Sequence, residues 1–343
     1  MNLNHYILAF RNTQRSCLKL GRFGTTPPKN PPPPNNGIVK IGKFIGEIKN
    51  KGQYKPGQFF IHKSFAYRGV VVKAFDAPVY GSNGKNDKEK SVTIPHYQCL
   101  IHKDDWSSSK LPLDLTQYLS DTPERNQSSM TTVHGMDCVD HSEIMPYNPT
   151  SEAGYKIMDH DIFERLFEPS DKNQKAFSSF SIRKTLIEPY EKKKMSWMAP
   201  QSVHKYVSEN IEITITTFYL GHVQKLSNPT HTWRYVIKLK NLTDKPITLL
   251  EQTMKLYTTQ ATKHINQTGT DGIVTILPTK RPCIKFCRNV EIAHAKGGYL
   301  WGKLKFTKED GTKFDFQISS VPLEPLGSRD YNRIDSNDEP PVE

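Results

Sequence analysis

His134, Asp137, Asp140 and His141 are side chains of the types that hold a metal or move a proton, and they are close in sequence. Their spacing argues against both. Two histidines separated by six residues on a β segment do not match the ligand spacing of a zinc site, and no further group completes a proton relay. The segment reads as a polar surface loop. Cys283 and Cys287 lie four apart with no second pair or nearby histidine at ligand spacing, so they read as ordinary strand cysteines. No G-x-S-x-G, H-E-x-x-H or Walker pattern occurs. The expectation is therefore a protein with no catalytic residue, no metal and no cofactor.

Binding chemistry is concentrated elsewhere. Across residues 57–72, Phe59 and Ile61 alternate with Gln58, Phe60 and His62, and a second β-branched run starts at Val70, so the stretch reads as strand, short loop, strand. The loop carries Phe65, Tyr67 and Arg68 and ends at Gly69. Aromatic rings beside an arginine are favoured at recognition surfaces, which makes these three, with Trp106 further on, the candidate partner-binding residues. The alternative is that Phe65 and Tyr67 fold back as lids on a small core, which is the favoured reading for Phe65 and stands level with display for Tyr67 and Arg68. Residues 53–60 contain the glutamine and two aromatics of a sliding-clamp box, but Pro56 sits where an aliphatic plug belongs and Phe59 is expected in the core.

The elements that position these residues are mostly strands. Residues 80–90 and 104–135 read as long inserted loops, the second with a short helix over 113–119. From 159 the period becomes helical at Ile162, Phe163, Leu166 and Phe167, and a second helix is expected over 181–194, ending in the basic run Glu191 to Lys194. After 206, Ile211, Ile213 and Ile215 alternate with polar residues, as do Trp233, Tyr235, Ile237 and Leu239. Further strands are expected over 247–250 and 254–257. Residues 308–311 form a turn ending in Gly311, with strands on either side. Several short strands at this spacing predict a β-sandwich.

Formal net charge is +12, but the excess is uneven. Arg11, Arg15, Lys19, Arg22, Lys29, Lys40 and Lys43 precede the first acid, Glu47, and the remainder is close to balanced. An acid-free, Arg-containing leader has the composition of a mitochondrial transit peptide, and the prolines between Pro27 and Pro34 read as a stiff spacer. Without a basic stripe, duplex DNA binding should be weak and salt-sensitive. No run approaches 18 apolar residues. Five scattered cysteines give no disulfide framework.

Gly57, Gln58, His62 and the run Tyr67 to Val71 resemble the opening signature of the YccV/HspQ family, a small antiparallel β-barrel; residues 95–101 and 137–144 resemble its later strands. Residues 233–242, 298–302 and 310–318 resemble ApaG domains, which implies an immunoglobulin- or fibronectin-like sandwich. That family has a glycine-rich loop with suggested pyrophosphate binding. Here, over 270–278, only Gly272 and Pro278 keep their places, and Thr270 and Thr275 stand where glycines belong. Gly269, Gly272 and Pro278 are the candidate ligand-loop residues, and a structural turn is the favoured reading, because β-branched residues hinder close approach of backbone N–H groups to phosphate.

The expected fold is thus mainly β: leader and linker to 38, a YccV-like barrel with inserted loops over 39–150, a helical connector over 151–205, an ApaG-like sandwich over 206–327 and a polar tail. This order resembles the polymerase delta-interacting protein 2 family. The resemblance implies a non-enzymatic adaptor of the mitochondrial matrix and also the nucleus. Its implied partners are the small subunit of DNA polymerase delta, the sliding clamp, the primase-polymerase PrimPol and the ClpX unfoldase, contacted by a monomer without a membrane. Two other readings stay open: a direct DNA-binding module, and a nucleotide- or small-ligand-binding sandwich.

Overall fold

The structure is a computed structural model whose described residues are 9–10, 39–48, 52–82, 91–106, 116–122, 127–150, 156–170, 180–185, 199–224, 229–258, 261–266, 274–276, 282–294 and 296–325. The first unit contains β1 (Ala9–Phe10), β2 (Val39–Lys40), β3 (Gly42–Phe44), β4 (Phe59–His62), β5 (Arg68–Ser82), β6 (Ser91–Ile101), β7 (Thr116–Thr122), β8 (Gln127–Val133), β9 (Met136–Asp140) and β10 (Ile144–Pro149). A single-turn helix α1 (Phe163–Leu166) leads into β11 (Phe167–Pro169) and its partner β12 (Phe180–Ile182). The second unit contains β13 (Pro200–Ser208), β14 (Ile211–Gln224), β15 (Pro229–Asn241), β16 (Ile247–Tyr257), β17 (Thr262–Asn266), β18 (Val274–Ile276), β19 (Cys283–Ile292), β20 (Gly298–Lys308) and β21 (Lys313–Leu323).

The fold is mainly β, but among the described residues the first unit does not close into a barrel. One edge of β5 pairs with β6, and the other pairs with β4 through Arg68–Val70 and then with β13, in parallel, through Val79–Ser82. A strand with both edges occupied over such a length carries the sheet onward, so the order runs β19-β15-β14-β13-β5-β4-β10-β3 and the two units share one ten-stranded sheet. The parallel contact is possible because more than a hundred residues separate β5 from β13, ample for a crossover.

Both faces of β4 are buried. Phe59 and Ile61 enter one core with Val70, Val72, Leu100 and Tyr147, while Phe60 enters another with Tyr67, Tyr97 and Ile144. That removes Phe59 and Phe60 from any clamp-binding role. In the second unit the alternation holds: Ile211, Ile213, Ile215, Trp233, Tyr235, Ile237 and Leu239 face a second, five-stranded sheet that supplies Met254, Leu256, Leu300, Leu304 and Phe306. This is the expected sandwich. Residues 247–257 form one strand rather than two, interrupted by a register shift between Leu249 and Glu251. The β20–β21 hairpin turns at Gly311, whose φ of 80° favours glycine.

Two expectations are corrected. Residues 116–122 are strand β7, paired with β8, where a helix was expected over 113–119; Thr116, Tyr118 and Thr122 are residue types that suit a strand. The second helix of the connector starts later than expected: Ser181 and Ile182 pair with Glu168 and Phe167 as strand, and helical residues begin at Lys184 and Thr185, where the described residues stop. Most of the expected second helix, its basic run, the first inserted loop over 83–90 and nearly all of residues 1–38 lie outside the described residues.

Close packing within the sandwich is testable at one glycine. A Cβ on Gly302 would meet the Thr253 carbonyl oxygen and lie 2.5 Å from Met254 Sδ, whereas one on exposed Gly46 would meet nothing. Gly302→Ala is expected to lower unfolding stability by about 1–3 kcal/mol, and Gly46→Ala to change it by less than about 0.5 kcal/mol, in urea titrations.

Candidate functional site

The outward face of the sandwich sheet reads in sequence as a solvent face, yet it is covered. In register, Lys205 of β13 stands opposite Thr214 of β14, Thr214 opposite Lys238 of β15, and Lys238 opposite Lys285 of β19. Three lysines thus lie in one transverse row. Asn241 N–H donates to the Pro282 carbonyl at 2.9 Å, so the pairs alternating from there place Lys238 and Lys285 in a non-hydrogen-bonded pair, where side chains are closest. Like charges so placed repel.

The first unit supplies the counter-charges from one short segment. Asp137 and Asp140 belong to β9, and Asp140 caps a 3-10 turn, His141–Glu143, by accepting from Ser142 N–H at 2.8 Å. The turn carries Glu143 back over the same sheet face. Lys285 Nζ donates to Asp137 Oδ2 at 2.7 Å, Lys238 Nζ to Glu143 Oε1 at 2.6 Å, and Lys205 Nζ to Asp140 Oδ2 at 2.7 Å. The Lys285–Asp137 pair is the most deeply buried, with side chains 6% and 4% exposed. Tyr67 Oη also donates to Asp137 Oδ2 at 2.8 Å, and Ser64 Oγ to Glu143 Oε2 at 2.6 Å. Ala66, at φ 55°, holds the tight β4–β5 loop that presents Ser64 and Phe65 to this junction.

Protonation follows from these contacts. Burial alone would raise the three carboxyls, but Lys285 beside Asp137, Lys205 beside Asp140 and Lys238 beside Glu143 outweigh it and hold all three below their usual range. Lys238 is raised in turn: burial works against its charge, and Glu143 overcomes that. His62 is driven down to about 3, first by burial and then by Lys285. Its Nδ1 accepts the backbone N–H groups of Ser64 at 3.1 Å and Phe65 at 3.2 Å. The 3.6 Å approach of that nitrogen to Glu143 is therefore no ion pair, although its distance would qualify. The Cys138 thiol is pushed up by burial and by Asp137.

A cleft of about 120 Å³ remains between β9 with its 3-10 turn and the faces of β14 and β15, lined in part by Thr214, Thr216, Arg234 and Lys240. Asp137, Asp140 and Glu143 are committed to lysines, His62 is neutral with Nδ1 occupied, and Cys138 is held as a thiol. Such an arrangement fastens the two units together, and these five side chains serve neither as proton carriers nor as a thiolate near neutral pH. Among the described residues no group of three His, Cys, Asp or Glu is placed to hold a metal.

The residues singled out from sequence are placed differently from expectation. Tyr67 and Arg68 are 1% and 5% exposed and are not displayed. Arg68 is a clamp: Nε and Nη2 donate to Asp105 Oδ2 and Oδ1, both at 2.8 Å, tying a 3-10 turn, Lys103–Asp105, to β5. Trp106 is half-buried, donates Nε1–H to the Ile101 carbonyl at 3.0 Å and packs on Gly135. Phe65 is half-buried too, with Lys285 Nζ 5.1 Å from its ring centre. Tyr67 and Phe65 thus belong to the junction, Arg68 and Trp106 to the first unit's frame. Asp137, read from sequence as part of a surface loop, is 3% exposed. Gly269, Gly272 and Pro278 lie outside the described residues.

Over 310 residues the chain is 28% identical to polymerase delta-interacting protein 2 of Mus musculus, covering 84% of this chain and 82% of that protein. The Homo sapiens protein of the same name is 28% identical over 293 residues, covering 80% and 77%. Over most of its length the chain is similar to polymerase delta-interacting protein 2. The aligned length exceeds that of either β unit, so the similarity extends across their junction. No protein-family model matches the chain, and the YccV and ApaG resemblances rest on the motifs quoted above. Two solved structures overlay on about a third of it: an X-ray structure of a structural-genomics target (18% identity, 34% of this chain and 89% of that one, TM-score 0.31), and a putative ApaA protein from Bordetella pertussis (14% identity, 35% and 99%, TM-score 0.29).

The junction generates two predictions. Lys238→Met leaves Glu143 buried without its main counter-charge and is expected to cost about 3–5 kcal/mol. The double variant Lys238→Met, Glu143→Leu should be more stable than Lys238→Met, as read from urea unfolding. The second concerns acid. Burial lowers His62 to about 3 and His204 to about 4, and it is also the largest cause of the lowering of His96, His102 and His160. The unfolded chain binds protons at these rings near 6.5, so their neutral burial is fully accommodated above that pH and stability falls as pH drops toward the folded values. The depressed carboxylates add a loss as pH falls below about 4. The urea midpoint should hold from pH 8 to 7 and decline from 6.5 downward, by up to about 1.4 kcal/mol per pH unit for each such ring, and less steeply in His62→Asn.

Proposed function

We propose that this chain is a non-enzymatic adaptor that holds protein partners, with the DNA polymerase delta assembly first among them. The observation that carries the reading is the junction itself. Its charged groups neutralise one another across two β units and fix their mutual orientation, and a fixed tandem platform is what an adaptor needs to present two surfaces in a set geometry. The relatives' name supplies the partner class: those proteins are named for interacting with polymerase delta, and similarity over most of both chains supports carrying the property here.

Within that reading, the small subunit of polymerase delta, the sliding clamp, PrimPol and ClpX are the partners the family resemblance brings, and the basic, acid-free leader supports a mitochondrial matrix location alongside a nuclear one. A direct DNA-binding role is less well supported, because the stacking platform imagined from Phe65, Tyr67 and Arg68 is largely buried. Action as a monomer completes the proposal.

The test is reconstitution. The purified chain mixed with the polymerase delta small subunit should form a complex of micromolar affinity or tighter at physiological salt, measured by titration calorimetry and co-elution. Absence of a complex with that subunit, the clamp, PrimPol and ClpX alike would overturn the adaptor reading. A reporter fused behind residues 1–38 should enter isolated mitochondria and be shortened there; exclusion would remove the matrix assignment.

A further inference from the structure

The face of the five-stranded sheet that points away from the sandwich core carries a cluster of rings. Of the large apolar side chains that are exposed among the described residues, Tyr257 at 41% and Tyr299 at 39% are the two aromatic ones, and they stand directly opposite each other on β16 and β20. Their ring centres are 6.3 Å apart and tilted by 46°, so neither ring is stacked on the other. Pro322 of β21 stands opposite Tyr299 on its other side. Two residues along, half-buried Trp301 is opposite Lys255, which is in turn opposite exposed His264 of β17. The alternation that buries Met254, Leu256 and Leu300 is what turns these residues outward.

The polar groups of this sheet are biased toward donors. Its five strands hold six lysines, Lys255, Lys263, Lys303, Lys305, Lys308 and Lys313, against two carboxylates, Glu251 and Asp315. Both carboxylates are already held, Glu251 by Lys305 at 2.6 Å and Asp315 by Lys303. The rings add donors of their own, a phenolic O–H on each tyrosine and the indole N–H of Trp301. The complement of such a face is a chain rich in acceptors and poor in donors. A proline run has backbone carbonyls that accept and no N–H that donates. It keeps its polyproline II shape without internal hydrogen bonds, so it loses little freedom when laid on a shallow, ring-lined surface. An extended strand gains nothing comparable, since the face of a sheet offers it no backbone partners.

We propose that the outward face centred on Tyr257, Tyr299 and Trp301 docks a proline-rich segment of a partner protein that carries acidic residues beside its prolines. The prolines pack on the three rings, their carbonyls accept from the ring donors, and the acids face Lys255. The chain's own proline run from Pro27 to Pro34 fits less well, because it contains Lys29 and is preceded by no acid, which sets like charge against like. Single-stranded nucleic acid would use the same rings for stacking, but its bases bring donors as well as acceptors, and Lys303 and Lys305 are already neutralised on this face. This inference rests on the adaptor reading and names the chemistry of one segment that the adaptor holds.

The test uses the full chain and, as probe, a synthetic peptide of eight prolines with two aspartates at each end, titrated by calorimetry. Saturable binding with a dissociation constant on the order of 100 μM or tighter is expected. A peptide with the same aspartates around alternating glycine and serine should bind about tenfold more weakly or not at all. Tyr299→Ala and Lys255→Met should each keep the melting transition. The first should weaken the proline peptide by about tenfold or more, and the second should weaken it while leaving a version with serines in place of the aspartates unchanged. Should Tyr299→Ala fold poorly, Tyr257→Ala gives the same reading. No saturable binding with millimolar peptide, equal binding of the glycine–serine peptide, or tighter binding of a single-stranded thymidine decamer would each overturn the proposal. So would a proline-peptide affinity that rises when residues 328–343, which are acidic and contain Pro340 and Pro341, are deleted, since that result places the chain's own tail on this face. If the chain binds the polymerase delta small subunit while the proline peptide fails to dock, the adaptor reading stands and this face is not its surface. If the peptide docks and none of the proposed partners binds, the face stands and the partner assignment falls.

Discussion

Two lysines opposite each other in adjacent strands, at the register position where side chains crowd closest, form a destabilising pair unless something answers them. Lys238 and Lys285 are answered by Glu143 and Asp137, and Lys205 by Asp140. Because every lysine comes from the sandwich and every acid from the first unit, the charges of each unit are incomplete without the other. Each carboxylate is also held by a second protein donor, from Tyr67, Ser142 or Ser64. That extra satisfaction distinguishes a stable buried pair from a costly one, since two ions taken out of water must recover their lost hydration.

Sheet continuity reinforces this. Parallel pairing of β13 on the far end of β5 joins the backbones of the two units, while the lysine row joins their faces. The two kinds of contact act on different parts of the junction, one along the strands and one across the sheet face. The cleft between them is then a consequence of polar side chains that cannot pack as tightly as a core. It concentrates the titratable groups of the described molecule, yet their mutual neutralisation makes it a fastening.

Much of the sandwich was legible in sequence because its strands alternate cleanly. Ile211, Ile213 and Ile215 mark the inner face, and the β20–β21 hairpin announces itself at Gly311. The junction was illegible for the same reason. Thr214, Lys238 and Lys285 occupy positions that in an isolated sandwich face water, and periodicity cannot tell a solvated face from one covered by another unit's acids. The i, i+3, i+6 spacing of Asp137, Asp140 and Glu143 was visible, but its meaning depends on lysines up to 148 residues distant. Tyr67 and Arg68 stayed undecided between display and packing, because rings and guanidinium groups serve recognition and internal clamping equally; only the partners Asp137 and Asp105 decide between them. The helix expected over 181–194 begins only at Lys184 because Ser181 and Ile182 found a strand partner in β11.

If the junction makes the two units one body, their strands should open together. Native-state amide exchange compared at buried amides of β5 and of β15 measures this directly. Equal opening free energies in both strands, with one shared dependence on urea, are the predicted result. A first unit that opens several kcal/mol more easily than the sandwich, as an independent step, would contradict it.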